Sequence, residues 1–409
     1  MTTLSTTQNS VKSDRMIMLC LIISMLTSSY VVMEPAPTDL LLILATILAI
    51  LLKRLYVSKE TLLGTLFLVG FIVANFISTW MAYEAIDGIS YFVITLYLII
   101  TWSGVVGFGE IYRTRLAEQL MTFYTIGALI TALVALSVYF GIMPGKPDWF
   151  LFERIKMFFK DPNVFGPYFV LPAVYMLGLL EQRHRALYFV LLIIFVGAVL
   201  ISFSRAAWLN LAIAVFIFYI LPRAKEANWR RGISVYLTLV VLAGVLVILK
   251  NQTLLTQFTE RASLQKYDNE RFASQEAAWR GGVISPLGSG PGQSEVLLAI
   301  APHNVYARIF FENGLLGILT LLLFLITTLI VCVRKFHSVR FGYIYRICFA
   351  VIVGHIINGF FIDTLHWRHF WVVLALAWIP LGGENNENHS DDHTHGRIRG
   401  RSNTSHEFE

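Results

Sequence analysis

The sequence predicts an all-α protein: a polytopic membrane helix bundle of about twelve transmembrane helices, with one partly helical extramembrane loop between spans 9 and 10. Three observations carry this. Of 409 residues, 56% are apolar and only 14% are charged, against about 25% charged in a soluble domain. The mean hydropathy is +0.66. The apolar residues also fall in runs of about 20, the length that crosses a hydrocarbon core as a helix. An ordinary soluble enzyme is excluded, because the charge cannot cover its surface. A disordered chain is excluded by the abundance of Leu, Ile, Val and Phe. Cys20, Cys332 and Cys348 all lie in apolar runs and offer neither a disulfide framework nor a zinc spacing.

The expected spans, in order, are Met16–Met33, Leu40–Tyr56, Leu62–Trp80, Ile89–Phe108, Leu120–Ile142, Val164–Leu180, Leu187–Ser202, Ala206–Leu221, Ile233–Leu249, Val305–Val333, Ile344–Phe361 and Trp367–Leu381. The first follows Lys12 and Arg15, is long, and lacks a small-x-small cleavage site, so it reads as an uncleaved signal anchor. The stretch Leu187–Leu221 is almost unbroken. As one helix it would be about 52 Å long, too long for a core of about 30 Å. A break at Ser202-Phe203-Ser204-Arg205 makes two spans and puts Arg205 at a membrane boundary, sparing the several kcal/mol of a mid-bilayer charge. The chain then divides into a cytoplasmic tail 1–15, spans 1–9 over 16–249, an outer loop 250–304, spans 10–12 over 305–382, and a polar, disordered tail 383–409.

Loop charge sets the orientation. With both ends inside, the cytoplasmic turns hold most of the basic residues, among them Lys53, Arg54, Lys59, Arg223, Lys225, Arg230, Arg231, Arg334, Lys335 and Arg340. The short outer loops 34–39 and 81–88 hold no Lys or Arg, but carry Glu34, Asp39, Glu84 and Asp87. This is the positive-inside pattern. Against that trend, Arg154, Arg205, Arg271, His303, Arg308, His366, Arg368 and His369 all fall on the outer face. Clustered arginines at a membrane surface suit a phosphate or diphosphate, because a guanidinium binds its oxygens bidentately.

Each of these residues has a plainer alternative. Arg205 opens a helix at the boundary, to hold a lipid phosphate or to snorkel to headgroups. Arg271 lies on a helix near Asn269–Arg280, stopped by Gly281-Gly282, with Phe272 and Trp279 on one face. It either reaches the site of Arg205 or pairs with Asp268 or Glu276. His303 stands at a helix start, a position that suits a general base beside an anion and equally a headgroup-level histidine. Arg308 and Glu312 are spaced to pair. Asp161 and Asn163 are natural caps, and Trp367 is a belt aromatic. His355 and Asn358, inside a span, read as bonding between helices. His389, His393 and His395 resemble a metal tract only by composition.

Taken in order, Lys160-Asp161-Pro162-Asn163-Val164-Phe165-Gly166, Ser204-Arg205-Ala206-Ala207-Trp208, Glu270-Arg271 with Trp279, Pro286-Leu287-Gly288-Ser289-Gly290-Pro291-Gly292, His303-Asn304-Val305-Tyr306, Glu312-Asn313-Gly314-Leu315-Leu316-Gly317 and His366-Trp367-Arg368-His369-Phe370-Trp371 form a pattern. It resembles the bacterial O-antigen ligase and polymerase superfamily over roughly 150–378. The resemblance implies a metal-independent, inverting inner-membrane glycosyltransferase with no cofactor. It would take a glycan from undecaprenyl diphosphate at the periplasmic face to lipid A-core. The acceptor would be a lipid-linked repeat unit if the chain is a polymerase. The partners are then the two lipid-borne substrates and the bilayer, with no nucleic acid. By position, Arg205 and Arg271 match the family's diphosphate-binding arginines, and His303 its essential histidine. Arg154, Asn304, Arg308 and Arg368 would complete the substrate contacts. Ten residues separate Arg271 from Gly282, a spacing found in polymerase loops. A different class, a lipid-linked glycan flippase, also suits twelve spans. It would place charge near the midplane and repeat its halves, which this chain does not.

Overall fold

The computed structural model describes residues 2–183, 185–222, 256, 266–298, 300–338 and 340–382, with side chains described from residue 13 onward and not at 266–268. The expected span Ile233–Leu249, the tail from 383 and the side chain of Asp268 lie outside the described residues. The helices are α1 (Thr2–Leu26), α2 (Pro37–Leu51), α3 (Lys59–Thr79), α4 (Ala85–Tyr139), α5 (Pro162–Tyr168), α6 (Val170–Arg183), α7 (Ala186–Ile201), α8 (Arg205–Ile220), α9 (Lys266–Ile284), α10 (Ser294–Leu297), α11 (Val305–Lys335), α12 (Gly342–Asn358) and α13 (Arg368–Trp378). One two-stranded ribbon pairs β1 (Phe150–Leu151) antiparallel with β2 (Arg154–Ile155). By length and composition, α3, α4, α11 and the run α5–α6 can each cross a membrane, and α2, α7, α8 and α12 are shorter apolar helices.

Boundaries shift where side chains and loops override apolar length. Helix α1 ends at Leu26, not Met33. Ser24 and Ser28 turn their hydroxyls back onto Leu21 O and Met25 O, and Val31 N leaves the helix to donate to Phe158 O at 3.0 Å. The fourth and fifth expected spans are one helical run, broken at Arg113 (φ 42°, ψ −120°). The run Val164–Leu180 is two helices, α5 and α6. The expected break at 202–204 is present between α7 and α8.

Helix association in lipid rests on close packing more than on apolar burial. Gly127 shows why: a Cβ there would lie 2.5 Å from Leu26 O, so only glycine lets α4 touch α1. An aromatic stack joins α4, α11 and α13: Trp102 meets Phe324 edge-on at 5.4 Å, and Trp378 donates to Thr328 Oγ1 at 2.9 Å.

The loops gather at two separate ends. At one, Lys160 pairs with Glu34 (2.7 Å), Arg368 with Glu34 (3.6 Å) and Asp39 (2.5 Å), and Glu84 N donates to Gln293 Oε1 (2.9 Å). At the other, Arg54 pairs with Asp14 (2.8 Å), Lys335 with Glu60 (2.9 Å), and Arg113 donates to Gly382 O (2.9 Å).

Candidate active site

The first wall of the site is the start of α8. Ser204 caps the helix, its hydroxyl accepting from Ala207 N at 3.3 Å. Phe203 takes a left-handed φ of 47° to make the sharp turn, and Arg205 follows as the first helical residue, half-buried. The preceding loop clamps this turn. Arg154 donates to Ser202 O (3.1 Å) and to Asn163 Oδ1 (2.9 Å), and Asp161 caps α5 by accepting from Asn163 N (2.6 Å). Arg154, Asp161 and Asn163 thus stand beside the Arg205 turn; Asp161 is the cap its sequence suggests, whereas Asn163 lies inside the helix and uses its side chain to hold Arg154.

The second wall is the start of α11. Asn304 caps it, accepting from Tyr306 N (3.0 Å) and Ala307 N (3.1 Å). Val305 N donates to Gly359 O at 2.8 Å, which fixes the turn against the end of α12. His303 precedes the cap with a φ of 47°, as Phe203 precedes Ser204. A non-glycine residue there stores on the order of 1–3 kcal/mol, and such strain concentrates at functional sites. Burial pushes the His303 imidazole below its ordinary pKa. The positive charge of Arg271 adds to this, and that of Arg308 helps, while Asp161 and Asp363 oppose without prevailing. Arg271, Asp161 and Asp363 therefore act on His303 from three separate segments. The imidazole is neutral at pH 7, the form that accepts a proton.

The third wall is α9. Arg271 is half-buried on it. The side chain of Glu276 pairs with Arg280 at 2.5 Å. The helix does not stop at Gly281-Gly282 but runs to Ile284. Those glycines serve packing. A Cβ on Gly281 would lie 2.5 Å from Phe311, and one on Gly282 2.4 Å from Phe310, so only their absence lets α9 lie flat on α11. Trp279 meets Phe310 at 5.6 Å, and Ala278, Ala307 and Phe311 form a small core between the two helices.

Two expected substrate contacts are taken up by the framework. Arg308 is buried and pairs with Asp363 (2.6 Å), Glu312 (3.0 Å) and Glu295 (3.4 Å), with Tyr91 under its guanidinium at 4.9 Å. Arg368 holds Asp39 through two nitrogens. Their charge is neutralised by carboxylates 4 to 329 residues away in sequence, of which only the Glu312 spacing was readable. Asp363 has no motif around it, and nothing in the sequence links it or Glu295 to Arg308. Burial resists ionisation of Asp363, yet Arg308 and His366 hold its carboxyl below the usual range. Burial pushes His366 down to about 4, and its Nε2 meets Thr95 Oγ1 at 3.0 Å. Among the described residues, His355 and Asn358 form no hydrogen bond between helices, contrary to expectation. His355 Nδ1 turns to Val351 O of its own helix (2.9 Å), one turn back and always within reach. Asn358 finds no side-chain partner among the described residues.

Compared with known families, residues 189–322 match the family described as O-Antigen ligase (Wzy_C). They run from α7 through Arg205, Arg271 and His303 to the middle of α11. No curated protein matches the chain.

Proposed function

From the match of residues 189–322 to the O-antigen ligase family we propose that this chain is a membrane glycosyltransferase acting at the outer face of the bacterial inner membrane. The proposal takes twelve crossings with both termini cytoplasmic. The donor is a glycan on undecaprenyl diphosphate and the acceptor a hydroxyl of lipid A-core. In the polymerase alternative within the same family the acceptor is a second lipid-linked repeat unit. The observation that carries the reading is that His303, at a strained, capped helix start, lies within the field of Arg271 on α9 and of Asp161, the latter on the loop that Arg154 ties to the Arg205 turn.

The chemistry follows from the groups. The acceptor oxygen attacks the anomeric carbon from the face opposite the diphosphate. The bond from that carbon to the phosphate oxygen breaks, and its electron pair leaves with undecaprenyl diphosphate. Arg205 and Arg271 stabilise the charge that develops there, the largest usual source of rate. His303, neutral at pH 7, takes the hydroxyl proton. A single displacement inverts the anomeric centre. Arg154 and Asn304 shape the pocket through the turns they hold, and Arg308 and Arg368 support it from beneath.

The test is glycan transfer by purified protein from a defined undecaprenyl-diphosphate glycan. Arg205→Ala and Arg271→Ala are expected to abolish transfer while the protein still inserts. Full activity in either variant would refute the assignment.

A further inference from the structure

Helix α11 is broken. Gly314 sits at φ 67° and ψ −165°, and the helical ladder fails across it. The turn-rich strip after α9 takes over the lost bonds. Ser289 N donates to Phe311 O (2.9 Å), Gly290 N to Glu312 O (3.0 Å), and Leu315 N to Pro286 O (2.9 Å). The backbones touch so closely that a Cβ on Gly314 would lie 2.1 Å from Pro286 O, and one on Gly288 2.2 Å from Glu312 O. Both glycines also have positive φ, so the join depends on glycine at both positions.

A second tether lies nearer the site. The hydroxyl of Ser274 donates to Ile300 O. A serine inside a helix ordinarily bonds to its own preceding turn. Here the hydroxyl is buried and holds a loop carbonyl 26 residues along the chain. Ser274 is one turn after Arg271, and Ile300 is three residues before His303.

We propose that the described residues 285–298 and 300–303, pinned at the Gly314 break and at Ser274, form a bracket that holds His303 within the field of Arg271, and that Ser274 is a positioning residue for the transfer. This rests on the glycosyltransferase reading for its consequence, but not for its geometry. The charged groups around His303 are Arg271 on α9, Arg308 on α11, Asp161 before α5 and Asp363 before α13. Releasing the bracket weakens the Arg271 contribution and leaves the two carboxylates, so the imidazole titrates at higher pH.

The experiment uses the full chain in lipid nanodiscs. Diethylpyrocarbonate modification of His303, followed on its own peptide as a function of pH, reports its titration. Transfer kinetics report its consequence. Ser274→Ala is expected to raise the His303 titration midpoint and to cut kcat about tenfold to a hundredfold, as a misplacement of about 1 Å does, with a smaller change in donor KM. Ser274→Thr keeps the hydroxyl and is expected to behave as the native protein. Ser289→Pro removes the donor to Phe311 O and should reproduce Ser274→Ala, while Ser289→Ala keeps it and should not. Native titration and native kcat in both Ser274→Ala and Ser289→Pro would overturn the proposal. A shifted titration in a protein that never transfers glycan would leave the bracket standing and remove the functional reading instead.

Discussion

Arg308→Met separates a framework arginine from a substrate arginine. The residue is 6% exposed, and its neighbours Glu312 and Asp363 are 4% and 18% exposed at the residue and side chain respectively. Removing one partner from a buried ion set costs about 3–5 kcal/mol, because the other charges stay behind uncompensated. Glu312 retains two donors, Ser294 N (3.1 Å) and Ser294 Oγ (2.5 Å), which soften its loss. The half-exposed Glu295 adds at most about 1 kcal/mol. The contact over Tyr91 adds about 0.5–2 kcal/mol. The expected loss is therefore about 3–4 kcal/mol. Cys20, Cys332 and Cys348 are all free and buried, so a thiol-reactive dye that fluoresces on labelling follows unfolding in detergent without an added probe. Arg308→Met should label at a clearly lower temperature, and Arg308→Met with Glu312→Met should recover part of the loss. An unchanged transition combined with lost donor binding would refute this reasoning and return Arg308 to the binding site.

Arg205→Lys and Arg271→Lys should fail in the transfer assay nearly as completely as the alanine variants, since an ammonium cannot bind phosphate oxygens bidentately; native rates would show that charge alone suffices. His303 has its pKa lowered, so it stays neutral as pH falls to its ordinary value of about 6.5, and the acid limb of the transfer rate should lie below that value. In Arg271→Gln the repulsion is gone, so diethylpyrocarbonate labelling of His303 should titrate at higher pH than in the native chain. Gly282→Leu places a side chain where Phe310 packs. It should lift α9 from α11 and open the 266–298 region to proteolysis, with the membrane helices still folded.

Much of the bundle was legible because membrane thickness is a fixed ruler. The break at 202–204 followed from helix length alone. Arg205, Arg271 and His303 stood out because basic groups on the acidic side of a membrane run against a strong trend. What stayed hidden depends on contacts between remote residues. Gly281-Gly282 looks like a helix stop, and only the rings of Phe310 and Phe311 show it to be a packing site. Arg368 looks like a cation facing a ligand until Asp39 is placed against it. The break at Gly314 is marked only by the turn dipeptide Asn313-Gly314, a signal that the apolar run resuming at Leu315-Leu316 masks, and the compensating carbonyl comes from the remote Pro286. Ser274 is one of many serines until its hydroxyl is seen on Ile300.

The most direct measurement is product analysis after incubating the purified chain with a defined undecaprenyl-diphosphate glycan and lipid A-core. The account predicts a new glycosidic bond to lipid A-core with inverted anomeric configuration and release of undecaprenyl diphosphate, both absent from Arg205→Ala, Arg271→Ala and His303→Ala. Glycan that crosses the bilayer without forming any bond, or transfer that survives in all three variants, would contradict it.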